Sequence, residues 1–442
     1  MRGEHLHTLA RLWRHPAASR EELAGFRDRK LRSVVARAYR TVPFYRSLLD
    51  GCGVRPEDVR GVADLSVLPM TSSQDYRTRP LEEVISGRVS ARALVRRPTS
   101  GSSGRPFVIR RTEAEDHLLN QFRLRALRDF GVRLRDRIGH VRLVSASHRR
   151  GSWAGRLRQA LGIHREFPVD SLWPAERLLD ALTAARPDVI KGYPSVLSRA
   201  AGSLREHPQP ELAPRLVVAG GETLAPLRRQ RIQEGFGAPV FDIYGAHEFN
   251  LLAWECSRAG GYHVCDDNVV LEVLRDGRPA RPGERGEVVV TGLHGYAMPF
   301  LRYRLGDVAI RGPEVCSCGA PFSTLRGVEG RMHDYFRMPG GGLLHPDEIV
   351  VPIMEAEAGW FDRYQLTQVR EDLVVLQVQP FDAPGEERTA RVRRLAAERL
   401  PTGVAFRLEL VDRLEEPGPG GKFRFCRSLV ASDLDGVEWG RL

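Results

Sequence analysis

A short run of hydroxyl side chains and glycines near residue 100 has the composition of a phosphate-binding loop. Gly101 and Gly104 let the backbone approach an anion, because glycine adopts conformations closed to other residues. Arg105 adds a fixed positive charge, and four hydroxyl groups add hydrogen-bond donors. Those hydroxyl residues are Thr99, Ser100, Ser102 and Ser103. The glycine spacing differs from that of the Walker loop, and a Gly/Ser-rich hairpin that binds nothing is the alternative.

Two carboxylates farther along the chain each follow a strand-like apolar segment. Glu248 ends the motif Tyr-Gly-Ala-His-Glu at 244–248, and Asp307 ends Tyr-Arg-Leu-Gly-Asp at 303–307. Each acid therefore lies near the carboxyl end of a predicted strand, where ligands bind in sheets of this kind. The alternatives are a helix N-terminal acid for Glu248 and an ordinary turn acid for Asp307.

Two more motifs complete an ordered set of five. They are Gly-Arg-Met-His-Asp at 330–334 and Gly-Gly-Lys-Phe-Arg at 420–424. In this order, the motifs resemble those of the adenylate-forming superfamily of acyl-CoA synthetases, adenylation domains and luciferases. Within that superfamily, the chain resembles the phenylacetate-CoA ligase branch, from Val-Pro-Phe-Tyr at 42–45 to Lys422.

The resemblance implies that these loops surround one molecule of ATP. The loop at 99–105 would hold the β- and γ-phosphates, and Glu248 would coordinate Mg²⁺. Tyr244 would stack on adenine, and Asp307 would hold the ribose hydroxyls. The remaining nucleotide-binding residues implied by the family are Gly221, Glu222 and Thr223 of a second adenine-side loop, together with Gly245 and Arg331.

The same resemblance places the carboxylic acid substrate next to the nucleotide. Its pocket would be lined by Tyr193, Pro194, Gly245, Ala246 and His247. For Tyr193 and Pro194, a simple strand-to-helix cap is the alternative. His247 could orient the carboxylate of the acid or only pack.

The predicted catalytic residues are Lys422, Glu248, Arg331 and His247. Lys422 resembles the adenylation lysine of the family, which can stabilise developing negative charge; the alternative is a solvated surface lysine. Arg331 resembles the arginine at the family's domain hinge. The pivot aspartate common two residues later is His333 here, so either Asp334 takes that role or the C-terminal domain closes differently.

Six cysteines are clustered enough to suggest a metal site. Cys256, His263, Cys316 and Cys318 could form a structural zinc site, with Cys265 as a substitute ligand. Free thiols are the alternative.

The periodicity of the chain predicts elements that would position these motifs. Residues 1–90 read as helices, and strand-like and helical runs then alternate to about 330, which predicts βαβ units with the ligand site at the carboxyl ends of the strands. Hairpins after about 269 predict a small antiparallel or barrel-like subdomain. The predicted fold is α/β, with a large N-terminal domain (1–331) of mainly parallel sheets. A small, mobile α+β C-terminal domain (332–442) would carry the adenylation lysine.

Composition bounds the remaining possibilities. The 442 residues are 42% hydrophobic and 28% charged, which is typical of a globular protein of two or three domains. The net charge of +11 comes from arginines interleaved with acids, so we expect no nucleic-acid partner. The N-terminus lacks a signal-like core, and no apolar stretch is long enough to span a bilayer, so we expect a cytoplasmic monomer or homodimer that does not bind membranes.

These observations predict an AMP-forming acid-thiol ligase. It would convert a carboxylic acid, with an aromatic acid favoured, to acyl-AMP and then transfer the acyl group to coenzyme A. An adenylate-forming ligase that transfers to an amine or another nitrogen nucleophile is one alternative. A non-catalytic nucleotide-binding protein is the alternative from another class.

Overall fold

The computed structural model describes residues 19–98, 108–142, 144, 165–331, 335–340, 342–344, 346–357, 360–414 and 426–430. The described helices are α1 (Arg20–Thr41), α2 (Pro43–Gly51), α3 (Ser73–Arg77), α4 (Leu81–Val84), α5 (Glu113–Asp129), α6 (Ala175–Ala185), α7 (Pro194–Glu206), α8 (Pro226–Phe236), α9 (Pro346–Glu357) and α10 (Glu386–Ala397). Short 3₁₀ turns cover Pro56–Asp58, Val62–Val67 and Ala91–Ala93. None of the described helices is both long and apolar enough to cross a bilayer.

The first ten described strands are β1 (Val95–Pro98), β2 (Val108–Arg111), β3 (Arg137–Arg142), β4 (Arg165–Asp170), β5 (Val189–Gly192), β6 (Leu216–Gly220), β7 (Val240–Tyr244), β8 (Ala253–Glu255), β9 (Tyr262–Val264) and β10 (Val269–Arg275). The next ten are β11 (Arg278–Pro279), β12 (Arg285–Gly292), β13 (Tyr303–Arg311), β14 (Thr324–Arg331), β15 (Phe336–Arg337), β16 (Leu343–Leu344), β17 (Phe361–Arg370), β18 (Leu373–Pro380), β19 (Ala405–Leu410) and β20 (Cys426–Ser428).

The helical N-terminal part packs on the antiparallel strands. Helix α1 begins at a capping box in which Ser19 accepts a hydrogen bond from the Glu22 amide and Glu22 accepts one from the Ser19 amide. This helix lies in the part of the chain predicted to be helical, and its residues Leu31, Val34 and Ala38 are buried with residues of β10, β12 and β13.

A parallel sheet forms the centre of the large domain, as the alternation of strand-like and helical runs predicts. Five strands pair in parallel in the order β7-β6-β5-β3-β4. One face is covered by α5, and the other by α6, α7 and α8. Burial on both faces explains the continuous apolar run of β6.

The antiparallel strands continue this sheet. Strands β8 and β9 pair with the edge at β7, and β14, β13, β12, β10 and β11 follow in that order to make twelve strands. The predicted hairpin pattern is therefore confirmed, and these strands share a hydrogen-bonded sheet with the parallel ones. The shared sheet places residues of β13 and β14 near the carboxyl end of β7.

A separate sheet follows in the C-terminal part, in the order β19-β18-β17-β20. Its apolar cluster is composed of residues from Phe336 onward, with α9 and α10 packed on it. The boundary at 331/332 stays a prediction.

Candidate functional site

The end of strand β7 meets strand β13 through a buried side-chain pair. The Tyr244 hydroxyl donates a 2.6 Å hydrogen bond to Asp307 Oδ2, and both side chains are buried. Asp307 lies within β13 and not in a turn, so the turn alternative is wrong for this residue. Two side chains predicted to bind the nucleotide therefore lie together at the carboxyl end of the parallel sheet.

Strand β14 brings a third nucleotide-site prediction next to this pair. Arg331 is the register partner of Asp307 in the antiparallel β13–β14 pair. The preceding Gly330 has φ +97°, and a Cβ added there would lie 2.5 Å from Thr223 Oγ1. Only glycine fits this close approach without strain. The loop after β6 therefore packs directly on the end of β14.

The loop after β6 also contacts the start of helix α7. The Ser195 amide, in the first turn of α7, donates a 3.0 Å hydrogen bond to Glu222 Oε2. Tyr193 occupies the N-cap position, but its side chain makes no capping hydrogen bond. The residues predicted for the adenine side and for the acyl pocket are therefore neighbours, and the tyrosine side chain is not used as a cap.

A tight loop after β7 positions Glu248. A Cβ added to Gly245 would lie 2.1 Å from the Asn250 carbonyl oxygen, so the loop requires glycine here. The Ala246 carbonyl accepts hydrogen bonds from the amides of Phe249 and Asn250. Glu248 lies in this turn and not at a helix start, so the helix N-terminal alternative is wrong.

The carboxylate of Glu248 is partly exposed beside an aromatic group of β13. The Tyr303 hydroxyl donates a 3.2 Å hydrogen bond to Glu248 Oε1. His247, the preceding residue, is exposed. The two side chains thus lie at the surface of the same turn.

Arg111 holds this turn, and the motifs did not identify it. Its guanidinium donates hydrogen bonds to the His247 carbonyl and, at 3.4 Å, to Asn250 Oδ1. Burial lowers the pKa of Arg111, and the nearby carboxylates of Asp116 and Glu248 oppose that shift. The sequence feature that could have identified Arg111 is its position at the end of β2, just before the Thr112 cap of α5.

Several predicted residues lie outside the described part of the chain. These are the phosphate-loop residues Thr99, Ser100, Gly101, Ser102, Ser103, Gly104 and Arg105, the hinge residues His333 and Asp334, and Lys422. Strands β1 and β2, on either side of the predicted phosphate loop, pair antiparallel with Pro98 opposite Val108.

The predicted cysteine and histidine ligands come together near β8 and β9. The ligand atoms of Cys256, His263, Cys316 and Cys318 all lie within 4.8 Å of one another. Cys316 Sγ lies 3.8 Å from Cys256 Sγ, and Cys318 Sγ lies 3.3 Å from His263 Nε2. Zn–S bonds of about 2.3 Å in tetrahedral geometry place sulfurs about 3.8 Å apart. The cluster therefore has the size of a zinc site.

Surrounding groups suit this cluster to a metal. Backbone amides of Ala259 and Ala320 donate to the sulfurs of Cys256 and Cys318. On the other side of the imidazole, the carboxylate of Asp129 lies nearby, with Oδ2 3.8 Å from His263 Nδ1.

The substitute ligand Cys265 lies elsewhere. Its sulfur is buried 3.6 Å from Asp267 Oδ1, and Asp267 forms a buried ion pair with Arg125 at 2.5 Å. Among the described residues, the cluster therefore consists of the four predicted ligands without Cys265.

Known proteins share both the sequence and the fold of this chain. It is 31% identical over 341 residues to the phenylacetate-coenzyme A ligase of Thermus thermophilus, covering 73% of each chain. It is 29% identical over 311 residues to the enzyme of the same name from Escherichia coli, covering 66% of this chain and 68% of the relative. No protein-family model matches the chain.

A solved structure of similar fold is that of a 2-hydroxyisobutyryl-CoA ligase in the postadenylation state with 2-HIB-AMP. The TM-score is 0.76 at 24% identity, over 95% of this chain and 94% of that one. The sequence similarity and the shared architecture agree. This chain belongs to the phenylacetate-coenzyme A ligase family, within the adenylate-forming superfamily of ligases.

Proposed function

We propose that this protein activates a carboxylic acid with ATP and transfers the resulting acyl group to coenzyme A. The carboxylate would attack the α-phosphate of ATP, forming acyl-AMP and releasing pyrophosphate. The thiol sulfur would then attack the acyl carbon, forming a thioester and releasing AMP. The convergence of Tyr244, Asp307, Arg331 and Thr223 at the carboxyl edge of the sheet carries this proposal.

The described side chains suit the binding of a nucleotide. Asp307 can accept hydrogen bonds from ribose hydroxyls, and the Tyr244 hydroxyl holds that carboxylate in place. The aromatic ring of Tyr244 would lie against adenine. Such positioning and charge stabilisation supply most of the rate acceleration in phosphoryl-type transfers.

Glu248 fits a role as a magnesium ligand. Mg²⁺ prefers carboxylate oxygens and keeps several waters, and Glu248 is partly exposed on a turn held by Arg111. The ion would neutralise charge on the triphosphate. His247 and Arg331 complete the catalytic residues proposed among the described part of the chain.

Lys422 is proposed as the group that stabilises the transition state of adenylation. It lies in the C-terminal part, whose sheet and apolar cluster are separate from those of residues 19–331. We therefore propose two domains, 1–331 and 332–442, of which the second delivers this lysine.

The cysteine cluster is proposed to bind one structural Zn²⁺. Thiolates of Cys256, Cys316 and Cys318 and the imidazole of His263 would supply the four ligands of a closed zinc site, since their ligand atoms lie within 4.8 Å of one another. The ion would tie the β8–β9 hairpin to the loop between β13 and β14. Its role would be structural, because a closed set leaves no position for substrate.

An acid-dependent ATP/pyrophosphate exchange screen tests the proposed function. We expect exchange with a subset of carboxylic acids, and AMP and thioester formation when coenzyme A is added. Lys422→Ala should lower exchange by roughly 100-fold, the size typical of a lost charge-stabilising group. The same variant should retain the thermal unfolding profile of the large domain.

The outcomes separate the alternatives. Exchange followed by product formation only with amines would assign the acceptor to nitrogen nucleophiles. Nucleotide binding without exchange for any acid in the panel would contradict ligase activity.

A further inference from the structure

A group of cations lies on the α5 face of the parallel sheet, beyond the residues already discussed. Lys191 of β5 and His140 of β3 are register partners on adjacent strands. Side chains alternate between the faces of a strand, so Arg142 shares the face of His140. Ile138 and Val189, which precede them on that face, pack with Phe122 of α5. The cations therefore lie next to the apolar contact between α5 and the sheet, toward the carboxyl ends of β3 and β5.

Helix α5 and strand β4 complete the group. Arg123 follows Phe122 on α5, and Glu166 of β4 pairs in register with Ile138. The His140 Nδ1 lies 3.5 Å from Glu166 Oε2. Glu166 is the acid of this group, and 48% of its side chain is exposed, so the group reaches the surface there.

The charges of this group do not balance. Arg123, Arg142 and Lys191 carry three positive charges against the carboxylate of Glu166. Asp116 also acts on Arg123, but it is already paired with Arg97 at 2.5 Å. Burial lowers the pKa of His140 to about 4, so its imidazole is neutral. Burial and then the charge of Arg123 lower the pKa of Lys191 to about 8, which leaves it mainly protonated at neutral pH.

Two of these cations have a hydrogen-bond donor that is not used. Among the described residues, the Nε atoms of Arg123 and Arg142 are buried without a hydrogen-bond partner. A buried cation with an unused donor is costly, and such groups occur where a ligand completes the hydrogen bonding. The excess of positive charge specifies an anion.

The cations border the acyl side of the nucleotide site. Tyr193 lies two residues after Lys191, and two residues farther on the Ser195 amide donates a 3.0 Å hydrogen bond to Glu222 of the adenine-side loop. The chain from β5 into α7 therefore connects the cations to the adenine-side loop. An acid bound beside Tyr193 would therefore have Lys191, the cation of β5, as a near neighbour along the chain.

We propose that the substrate is a carboxylic acid with a second anionic group at its far end, which binds Arg123, Arg142 and Lys191. This inference rests on the proposed function and adds the class of acid. The carboxylate to be activated lies toward Glu248 and His247. The second anion pairs with the three cations and is not consumed in the reaction.

Matched acids test this inference. The probes are 4-carboxyphenylacetate and its neutral isostere 4-carbamoylphenylacetate, measured by calorimetric titration and by pyrophosphate exchange on the full chain. We expect the dianionic acid to bind about tenfold or more tightly, as for a charge-assisted hydrogen bond gained in a desolvated site. Equal or weaker binding of the dianion would overturn the inference.

Variants assign the preference to the cations. Arg123→Met and Lys191→Met should each remove most of the preference for the dianion while leaving the affinity for the neutral isostere within about twofold. Arg133→Met, at an exposed arginine just past α5, is the matched control and should keep the preference. Loss of affinity for both acids alike would assign a merely structural role to the cations and overturn the inference.

The same measurements separate this inference from its basis. Tighter calorimetric binding of the dianionic acid, without pyrophosphate exchange for any acid, would support the anion site and contradict the proposed ligase activity. Pyrophosphate exchange without a preference for the dianionic acid would support the ligase activity and overturn the proposed anion site. A rise in KM for coenzyme A alone in Arg123→Met would assign the cations to a coenzyme phosphate and equally overturn the proposal. If Arg123→Met does not fold, the wild-type preference and Lys191→Met decide the question.

Discussion

Tyr244 and Asp307 are 63 residues apart in the chain, yet the tyrosine hydroxyl donates a 2.6 Å hydrogen bond to the aspartate. This bond joins the end of the last parallel strand, β7, to the antiparallel strand β13. It fixes the direction of a buried carboxylate toward the carboxyl edge of the sheet. A hydrogen bond to an ionised group in such a place contributes about 1.5–3 kcal/mol.

We expect Asp307→Asn to raise the KM for ATP by roughly 10–100-fold, because an amide is a weaker acceptor for the ribose hydroxyls. Initial-rate kinetics with varied ATP would measure this change. Asp276→Asn is the control, since Asp276 lies in an exposed turn at φ 51°, which asparagine tolerates. An unchanged KM for ATP in Asp307→Asn would contradict the assignment of this carboxylate to the nucleotide.

Glu248→Gln should lower adenylation by roughly 100-fold and raise the Mg²⁺ concentration needed for half-maximal rate. The amide keeps the size of the side chain and a hydrogen-bond acceptor for Tyr303, but it removes the charge that binds the ion. Exchange rates measured across a Mg²⁺ titration would show both effects. Glu57→Gln, at an exposed acid, should behave as wild type. A lower rate with an unaltered Mg²⁺ dependence would exclude Glu248 as the metal ligand.

The purified protein should contain about one zinc per chain, and Cys318→Ser should lose most of it. The free energy of unfolding should then fall by about 4 kcal/mol, in the range for loss of a structural metal. Metal analysis by mass spectrometry and denaturant unfolding would measure these two quantities. Cys52→Ser, at an exposed cysteine outside the cluster, is the matched control. Zinc content that is negligible in the wild-type protein would remove the proposed site.

Asp242 should give the protein a pH-dependent stability. Burial raises the pKa of Asp242 to about 7, and the hydrogen bond from Tyr262 opposes this shift without cancelling it. Between pH 4 and pH 7 the unfolded chain releases this proton while the folded protein keeps it, so stability falls as the pH rises.

Asp242→Asn removes that proton exchange. The stability of the variant relative to wild type should therefore increase by up to about 4 kcal/mol from pH 4 to pH 8. Urea unfolding of both proteins across this range would measure the difference, with Asp382→Asn at an exposed acid as the control. A difference that stays constant with pH would show that Asp242 titrates normally.

Local sequence patterns were sufficient for most elements of the fold. The alternation of strand-like and helical runs before residue 330 predicted the βαβ units that the structure contains, such as β6 followed by α8. Each pattern records which face of one element is buried, so it can be read without knowing the partner. The continuation of the hairpin strands into the parallel sheet was not visible, because β-strand pairing between distant segments leaves no local signal.

The residues of the candidate site were also predicted only in part. Residue types and motif order predicted Glu248, Asp307 and the four cysteine and histidine ligands. Arg111 was missed, because a single arginine at a strand end has no distinguishing spacing, and its role depends on the turn that folds against it. The cations near Lys191 were missed for the same reason, since they come from two strands and one helix.

The sequence by itself determined the family, the order of the motifs, the helices and strands, and the types of ligand available. Tertiary structure alone decided that Asp307 faces Tyr244, that Cys316 lies 3.8 Å from a sulfur 60 residues away, and that Cys265 stays outside the cluster. The physical reason is that side-chain chemistry and periodicity are local properties. Distances between remote groups depend on strand order and register, which the packing of the whole chain selects.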